Sequence, residues 1–205
     1  MRYTGPKNRI SRREGVDLEL KTVGSKSHAR LLKKLGVPPG QHGLRKRKKV
    51  SERGTQLREK QKLRYMFGVT EKQLKNYFKK ASLKKGNTAS YLSHSLESRL
   101  DNIIFHLGFA PTRSAARQLV THGHINVNGK KLSIPSYQVR VGEEISLDEK
   151  SIKIPYIELC LNNKDTIIPS WLEKKATTGK LITEPTQEVI EKLINLRLII
   201  EYYSR

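Results

Sequence analysis

The chain has 205 residues and almost no cysteine, Cys160 being the only one. A single thiol forms no disulfide within the chain, and no cysteine cluster is available for structural zinc. The six histidines form no spaced pairs with carboxylates that are typical of a metal site. His122 and His124 fit hydrogen-bond donors or a solvated turn better than metal ligands. We therefore expect no metal and no other cofactor.

Long apolar runs are also missing. No stretch of about 18 apolar residues is present, and no lipidation motif is visible. Residues 1–15 lack the apolar core of a signal peptide. These absences argue against a membrane partner, and we expect a cytoplasmic protein.

Acidic residues are scarce in the first half of the chain. Residues 1–100 hold 27 Lys and Arg against 7 Asp and Glu, whereas residues 101–205 hold 14 against 12. Nearly all of the net charge of +22 therefore lies before residue 101. Such an excess of positive charge indicates an anionic partner. Because no membrane segment is present, nucleic acid is favoured over a membrane surface as that partner.

Catalytic constellations are missing as well. We find no paired carboxylates, no nucleophile elbow and no phosphate-binding loop. An enzyme needs a pocket with a positioned acid, base or nucleophile, and the segments described below leave little chain for a catalytic domain. The sequence predicts that the protein is not an enzyme.

The clearest pattern that is present covers residues 96–147. Apolar residues between Leu96 and Leu107 fall within one stripe at 100° per residue, which predicts a helix with one buried face. Thr112 is suited to cap a second helix. After it, Asn128-Gly129 is the strongest short signal for a β-hairpin, and further strands are expected up to Leu147.

The predicted second helix has a polar face that includes Arg113, Ser114, Arg117 and Gln118. Lys130 and Lys131 follow the hairpin turn directly. Guanidinium, amide, hydroxyl and ammonium groups are suitable donors to phosphate and sugar oxygens. This face is the first candidate surface for binding nucleic acid.

The rest of the sequence predicts both helices and strands. Residues 1–50 are basic and rich in Gly and Pro, so we expect an irregular extension with room for a short helix or two. Helical periodicity begins at residue 55 and continues to about 95, with Thr70 and Gln73 spaced as a capping box. Beyond 147 we expect a helix at 155–163, a buried strand region at 167–172, a turn at 176–180, a strand at 181–184 and a terminal helix at 188–203.

These elements predict an α+β fold: a helical domain with an inserted small helix-plus-antiparallel-sheet RNA-binding module, preceded by the basic irregular N-terminal extension. The extension covers residues 1–50. The helical domain combines 51–95 with 186–205. The module covers 96–185, with an RNA-binding core at 97–147.

Nine segments resemble one known family in the same order along the chain. They are RYTGPK at 2–7, SRREG at 11–15, PPGQHG at 38–43, QLREKQKLR at 56–64, RLDN at 99–102, TRSAARQLV at 112–120, HINVNGK at 124–130, IPSYQV at 134–139 and IIEYYSR at 199–205. Over its whole length the chain resembles the bacterial-type S-four family of small-subunit ribosomal proteins. Residues 97–147 also resemble the RNA-binding module named after that family.

The resemblance implies a structural protein of the small ribosomal subunit that binds ribosomal RNA in the 5′ domain. It implies a role in starting subunit assembly and an influence on decoding accuracy. The implied partners are that RNA, the neighbouring ribosomal protein S-five and messenger RNA where it enters the subunit. Some relatives hold zinc with N-terminal cysteines, but residues 1–50 contain none here, so we expect no zinc.

In the family's module the second helix and the hairpin contact RNA, which points to Arg113, Ser114, Arg117, Gln118, Lys130 and Tyr137. Basic residues and histidines of the other segments extend this set. The full set of candidate RNA-binding residues is Arg2, Lys7, Arg12, Arg13, His42, Arg45, Lys46, Arg47, Arg58, Lys62, Arg99, Arg113, Ser114, Arg117, Gln118, His122, Lys130, Lys131 and Tyr137.

Alternatives stay open at this point. The same module occurs in RNA-modifying enzymes, tRNA synthetases and small RNA chaperones, so a non-ribosomal RNA-binding or RNA-modifying protein is the alternative reading. Tyr3, Tyr65, Tyr77 and Tyr137 are candidates for stacking on exposed bases, although burial is the commoner role of tyrosine.

Overall fold

The computed structural model describes residues 3–43, 50–162, 167–186 and 188–204, with the backbone alone at 188 and 189. These residues form two compact units. The first combines residues 1–92 with 187–205, and the second covers residues 93–186. The α+β prediction is confirmed, since helices in both units accompany one antiparallel sheet in the second.

The described residues contain eleven helices and five strands. The helices are α1 (Lys7–Glu14), α2 (Lys26–Lys33), α3 (Glu52–Met66), α4 (Glu71–Ser82), α5 (Thr88–Glu97), α6 (Leu100–His106), α7 (Arg113–Thr121), α8 (Glu149–Ile152), α9 (Pro155–Asn162), α10 (Glu188–Glu191) and α11 (Leu196–Ser204). The strands are β1 (Ile125–Val127), β2 (Lys130–Lys131), β3 (Glu144–Leu147), β4 (Leu172–Lys175) and β5 (Thr178–Leu181).

Helices α3, α4 and α11 pack together in the first unit. Leu63, Leu74 and Ile199 are fully buried there. The capping box at the start of α4 is confirmed: the Thr70 hydroxyl accepts from the Gln73 N–H, and Gln73 Oε1 accepts from the Thr70 N–H. It satisfies two of the amides that a helix leaves without an intrahelical partner.

The segment before α3 is more ordered than its composition predicts. It forms α1 and α2, which contact each other, and it buries Leu18 and Leu31. Polar side chains add to this small core: Arg12 donates to the carbonyls of Val37 and Pro38 at 2.9 and 3.2 Å. A few apolar residues are enough to order this segment because side-chain hydrogen bonds satisfy polar groups of the loop backbone.

The second unit is built on a five-stranded antiparallel sheet of order β2-β1-β3-β5-β4. Its hairpin turn is the predicted one, since Asn128 and Gly129 both have positive φ, 49° and 74°, as a type I′ turn requires. In the register of β1 and β3, Val127 pairs with Ile145, and both side chains are buried. Helices α6 and α7 share this core with Phe109.

The helix predicted from Leu96 to Leu107 is interrupted. Arg99 has an extended backbone at φ −65° and ψ 136°, so α5 ends at Glu97 and α6 begins at Leu100. The carbonyl of Tyr137 accepts from the Leu100 N–H at 2.9 Å, and the carbonyl of Ser98 accepts from the Val139 N–H at 2.9 Å. These two hydrogen bonds to a distant segment replace hydrogen bonds of a continuous helix. The spacing of apolar residues within 96–107 carries no information about such a distant partner.

Other expectations beyond Leu147 are partly wrong. Helix α9 is confirmed, but Ile167, predicted in a buried strand, is 92% exposed. Residues predicted as a turn at 176–180 include most of β5, which pairs with β3 and places Gly179 opposite Ile145. The predicted terminal helix is divided into α10 and α11, because the Asn195 side chain accepts from the Arg197 N–H and starts a new helix.

A close approach in the core gives a first prediction. A Cβ at Gly179 would lie 2.5 Å from both δ-methyl carbons of Leu107, which is fully buried. We expect Gly179→Ala to reduce the free energy of unfolding by about 1–3 kcal/mol, because the core has no room for another methyl group. Urea denaturation followed by circular dichroism measures this.

Gly36→Ala is the control, since among the described residues no atom beyond its chain neighbours lies within 4 Å of its added Cβ. Its stability change should stay within about 0.5 kcal/mol. A Gly179→Ala protein as stable as the Gly36→Ala protein would contradict the packing described here.

Candidate nucleic-acid interface

A buried polar network lies under the start of α7 in the second unit. The carboxylate of Glu97 accepts from the Asn102 side-chain amide, and His106 Nε2 lies 3.1 Å from Glu97 Oε2. Asn102 Oδ1 in turn accepts from Arg113 Nε at 2.8 Å. Glu97, Asn102 and His106 are all buried, so these contacts occur away from solvent.

Asp101 forms the centre of a second group of charges. Arg99 donates to its carboxylate in a bidentate manner, with distances of 3.1 Å from Nε and 2.8 Å from Nη2. Arg117 Nη1 lies 3.2 Å from Asp101 Oδ2. Arg99 is 0% exposed, whereas a quarter of the Arg117 side chain reaches solvent. The buried pair therefore holds a second, partly exposed guanidinium, that of Arg117, at the surface.

The pKa of Glu97 reflects opposing effects. Burial by itself raises the pKa of this carboxyl. Hydrogen bonding and charge from His106, the charge of Arg113 and the hydrogen bond from Asn102 outweigh burial, so the pKa lies below its ordinary value. Glu97 is therefore ionised at neutral pH and compensates positive charge inside the unit.

The exposed face of α7 continues into the hairpin. Ser114, Gln118 and His122 are exposed and recur at intervals of four residues, which spans about 12 Å of one helix side. Lys130 and Lys131, on the edge strand β2, are exposed too. We name Ser114, Arg117, Gln118, His122, Lys130 and Lys131 the α7–hairpin surface.

Lys131 connects the hairpin to the end of the helix. Its stem passes close to the backbone of Gly123, the residue that follows His122. The ammonium group therefore lies near the C-terminal end of α7, where a cation also complements the helix dipole. The α7–hairpin surface can offer hydroxyl, amide, imidazole, guanidinium and ammonium donors to phosphate oxygens.

Other predicted residues of this unit have internal partners. Arg113 is 7% exposed, and its guanidinium carbon lies 4.3 Å from the centre of the Phe105 ring. The Tyr137 hydroxyl donates to Glu143 at 2.8 Å, a bond that raises the pKa of Tyr137. For Arg99, Arg113 and Tyr137 a direct contact with RNA stays a prediction.

The predicted residues of the first unit lie on α1, α3 and the loop before residue 44. Arg13 and His42 are exposed. Arg58 donates to Glu14 at 3.3 Å and Lys62 donates to Glu59 at 2.6 Å, while Arg12 is bound to loop carbonyls as described above. Lys7 is half-buried. Arg2, Arg45, Lys46 and Arg47 lie outside the described residues.

Sequence reasoning missed Glu97 and Asn102 as organisers of the site. Both fall within the predicted first helix, where a polar residue would ordinarily face solvent. Helical spacing gave no signal for them, because both lie outside the apolar stripe, where polar residues are expected. Their roles depend on the break at Arg99, which brings the end of α5 against α6.

Two features are absent from the part of the chain that the structure describes. No group of three or more His, Cys, Asp or Glu residues there is arranged to hold a metal ion. No helix there is long and apolar enough to cross a membrane.

Comparison with known proteins adds independent evidence. The family model described as ribosomal protein S4/S9 N-terminal domain matches residues 2–97, and the S4 domain model matches residues 98–145. The chain is 48% identical to small ribosomal subunit protein uS4 of Aquifex aeolicus and 44% identical to that of Thermus thermophilus. In both comparisons the match covers 100% of this chain and 99% of the relative.

The Glu97 network gives a second prediction. Because the folded-state pKa of Glu97 lies below its ordinary value of about 4.5, its contribution to stability is complete above pH 4.5 and is lost as pH falls through the folded-state pKa. Glu97→Gln should reduce the free energy of unfolding by about 2–4 kcal/mol at pH 7. The variant should also lack the loss of stability that protonation of Glu97 causes in the wild-type protein at low pH.

Denaturant unfolding between pH 3 and pH 7 tests both statements. Glu158→Gln is the control, because Glu158 is exposed on α9 of the same unit. If Glu97→Gln and wild type lost stability in parallel as the pH fell, the ionised state assigned to Glu97 would be wrong.

Proposed function

The chain belongs to the uS4 family of small ribosomal subunit proteins, and we propose that it binds small-subunit ribosomal RNA through the α7–hairpin surface and the basic helices of its first unit. The full-length relatives are structural proteins of the ribosome. The chain is accordingly a structural component of the small subunit and not an enzyme.

One observation carries the assignment of the surface. The S4 domain match covers α6, α7 and the hairpin, and on these elements Ser114, Gln118, His122, Lys130 and Lys131 are exposed together. Donors of this kind suit phosphate and 2′-hydroxyl oxygens better than base edges, which the deep A-form groove hides. The surface therefore recognises the shape of a folded RNA.

Arg117 is the member of the surface with the best-defined orientation. Asp101 accepts from it at 3.2 Å while holding Arg99 on its other side. A guanidinium fixed in this way loses less conformational freedom when it meets a phosphate. We propose that Arg117 contacts the RNA backbone directly, with Asp101 as its support.

The two units contribute differently to affinity. Residues 1–100 carry a net charge of +20, so the first unit supplies most of the attraction to phosphates. The second unit is nearly neutral and supplies orientation instead. Affinity should consequently fall steeply with salt, whereas the choice of RNA site should depend on the α7–hairpin surface.

We extend the proposal to the finer roles that the family resemblance implies. These are binding in the 5′ domain, nucleation of subunit assembly, an influence on decoding accuracy, and contacts with ribosomal protein S-five and with messenger RNA where it enters the subunit. A cytoplasmic location follows from membership of the ribosome. Support for these roles comes from the family, and the experiments below address the RNA contact on which they depend.

A paired-lysine variant tests the surface. Lys130→Ala with Lys131→Ala should weaken binding to a small-subunit 5′-domain RNA by about tenfold and reduce the slope of log K against log salt by roughly one to two, because up to two phosphate contacts are lost. Filter binding across a range of potassium chloride concentrations measures both quantities.

The matched control changes Lys175 and Lys180 to alanine. These residues lie on β4 and β5, towards the sheet edge opposite β2, and both are exposed. An equal loss of affinity in both double variants would argue that charge alone is recognised and would refute the assigned surface.

Sedimentation tests membership of the subunit. In a sucrose gradient of cell extract the protein should migrate with the small subunit in a one-to-one amount with its RNA. Migration only at the top of the gradient, in an extract whose small subunits are intact, would refute the ribosomal role.

A further inference from the structure

Tyr3 presents an open aromatic face at the beginning of the first unit. Its side chain folds back over the turn before α1, where its hydroxyl lies 3.4 Å from the carbonyl oxygen of Pro6. A Cβ at Gly5 would lie 2.6 Å from the Tyr3 hydroxyl and 2.7 Å from Cζ. The ring therefore rests on the glycine backbone, and yet Tyr3 is 43% exposed.

Tyr65, in the last turn of α3, supports this ring from the side. The centres of the two rings are 5.9 Å apart and their planes meet at 76°, an edge-to-face arrangement that aromatic pairs favour. The guanidinium carbon of Arg64 lies 4.5 Å from the centre of the Tyr65 ring. The Tyr65 ring thus lies between the Tyr3 ring and the Arg64 guanidinium in a chain of contacts, and Tyr3 is the exposed member.

The surroundings of this cluster are cationic. Helix α1, which starts four residues after Tyr3, carries four basic residues: Lys7, Arg9, Arg12 and Arg13. The C-terminal end of α1 meets the middle of α3, where Glu14 accepts from Arg58. Because Tyr3 contacts the end of α3 while Glu14 contacts its middle, the two helices run antiparallel. The open ring consequently lies at one end of a basic helix pair.

An exposed ring beside cations offers a nucleotide two kinds of contact, one for its base and one for its phosphate. A tyrosine that only filled the core would be covered, and this one is held by Gly5 and Tyr65 with its surface left open. Nucleobases have flat faces that stack on tyrosine, and their phosphates are neutralised by neighbouring lysines and arginines. Bases within an A-form helix are already stacked on their neighbours, so the matching ligand is a base that lies outside a helix.

We propose that Tyr3, positioned by Gly5 and Tyr65, is a stacking site for one single-stranded nucleobase of the RNA that this protein binds. The inference rests on the proposed function, since it assumes that the partner is RNA. It goes further by naming a specific contact in the first unit and the chemical form of the nucleotide. Of the four tyrosines that the sequence offers as stacking candidates, Tyr3 is the exposed one.

Removal of the ring tests the proposal. For the full-length protein and the 5′-domain RNA, Tyr3→Leu should raise the dissociation constant by about five- to a hundredfold, the range for loss of one base–aromatic stack. The slope of log K against log salt should stay at the wild-type value, because no phosphate contact is lost. Tyr3→Phe keeps the ring and should bind within about twofold of wild type.

Two further variants separate stacking from other effects. Tyr156→Leu is the matched control, since Tyr156 is 39% exposed on α9 of the other unit, and it should bind as wild type does. Gly5→Ala keeps Tyr3 but displaces its ring, so it should weaken binding as Tyr3→Leu does. Circular dichroism should be the same for all variants, because Tyr3 is not part of a core.

Ultraviolet crosslinking gives a direct readout. Irradiation of the wild-type complex followed by mass spectrometry should identify a nucleotide adduct on the peptide that contains Tyr3, and dimethyl sulfate probing should locate its base outside a helix. Wild-type affinity for the RNA together with unchanged binding by Tyr3→Leu would refute the stacking site and leave the proposed function intact. Failure of the wild-type protein to bind would refute the proposed function instead.

Discussion

The second unit depends on compensation of buried positive charge. Arg99 and Arg113 are almost without solvent contact, and each is held through side chains of the segment 97–102. A guanidinium removed from water is costly unless hydrogen bonds and opposite charge offset the lost hydration. Asp101 provides both for Arg99. For Arg113, Asn102 provides a hydrogen bond, and the ionised Glu97 behind Asn102 provides the charge.

This compensation also explains how an RNA-binding surface is kept in place. Buried ion pairs contribute little net stability, but they specify geometry. Arg117 extends from the Asp101 pair to solvent, and the start of α7 is attached to α6 through Arg113 and Asn102. The exposed donors of the α7–hairpin surface therefore lie on a rigid support. Long-range attraction is a separate property, and it comes from the charge of the first unit.

Several features could be predicted from local sequence because their physical cause is local. The capping box at Thr70, the Asn128-Gly129 turn and the period of α7 each involve residues within a few positions of one another. The basic first half follows from composition alone. By contrast, the exposure of Ile167 and the position of β5 depend on which strands pair, and periodicity carries no information about partners so far away in the chain.

By itself the sequence determined the α+β class, the nucleic-acid-binding character and the face of α7 with Ser114, Arg117 and Gln118, since composition and helical spacing express these directly. Tertiary structure alone decided which cations face solvent. Arg99, Arg113 and Arg117 look equivalent in the sequence, yet the first two are buried and the third reaches the surface. The reason is the extended backbone at Arg99, where hydrogen bonds to residues 135–139 overrule the helix that local spacing favours.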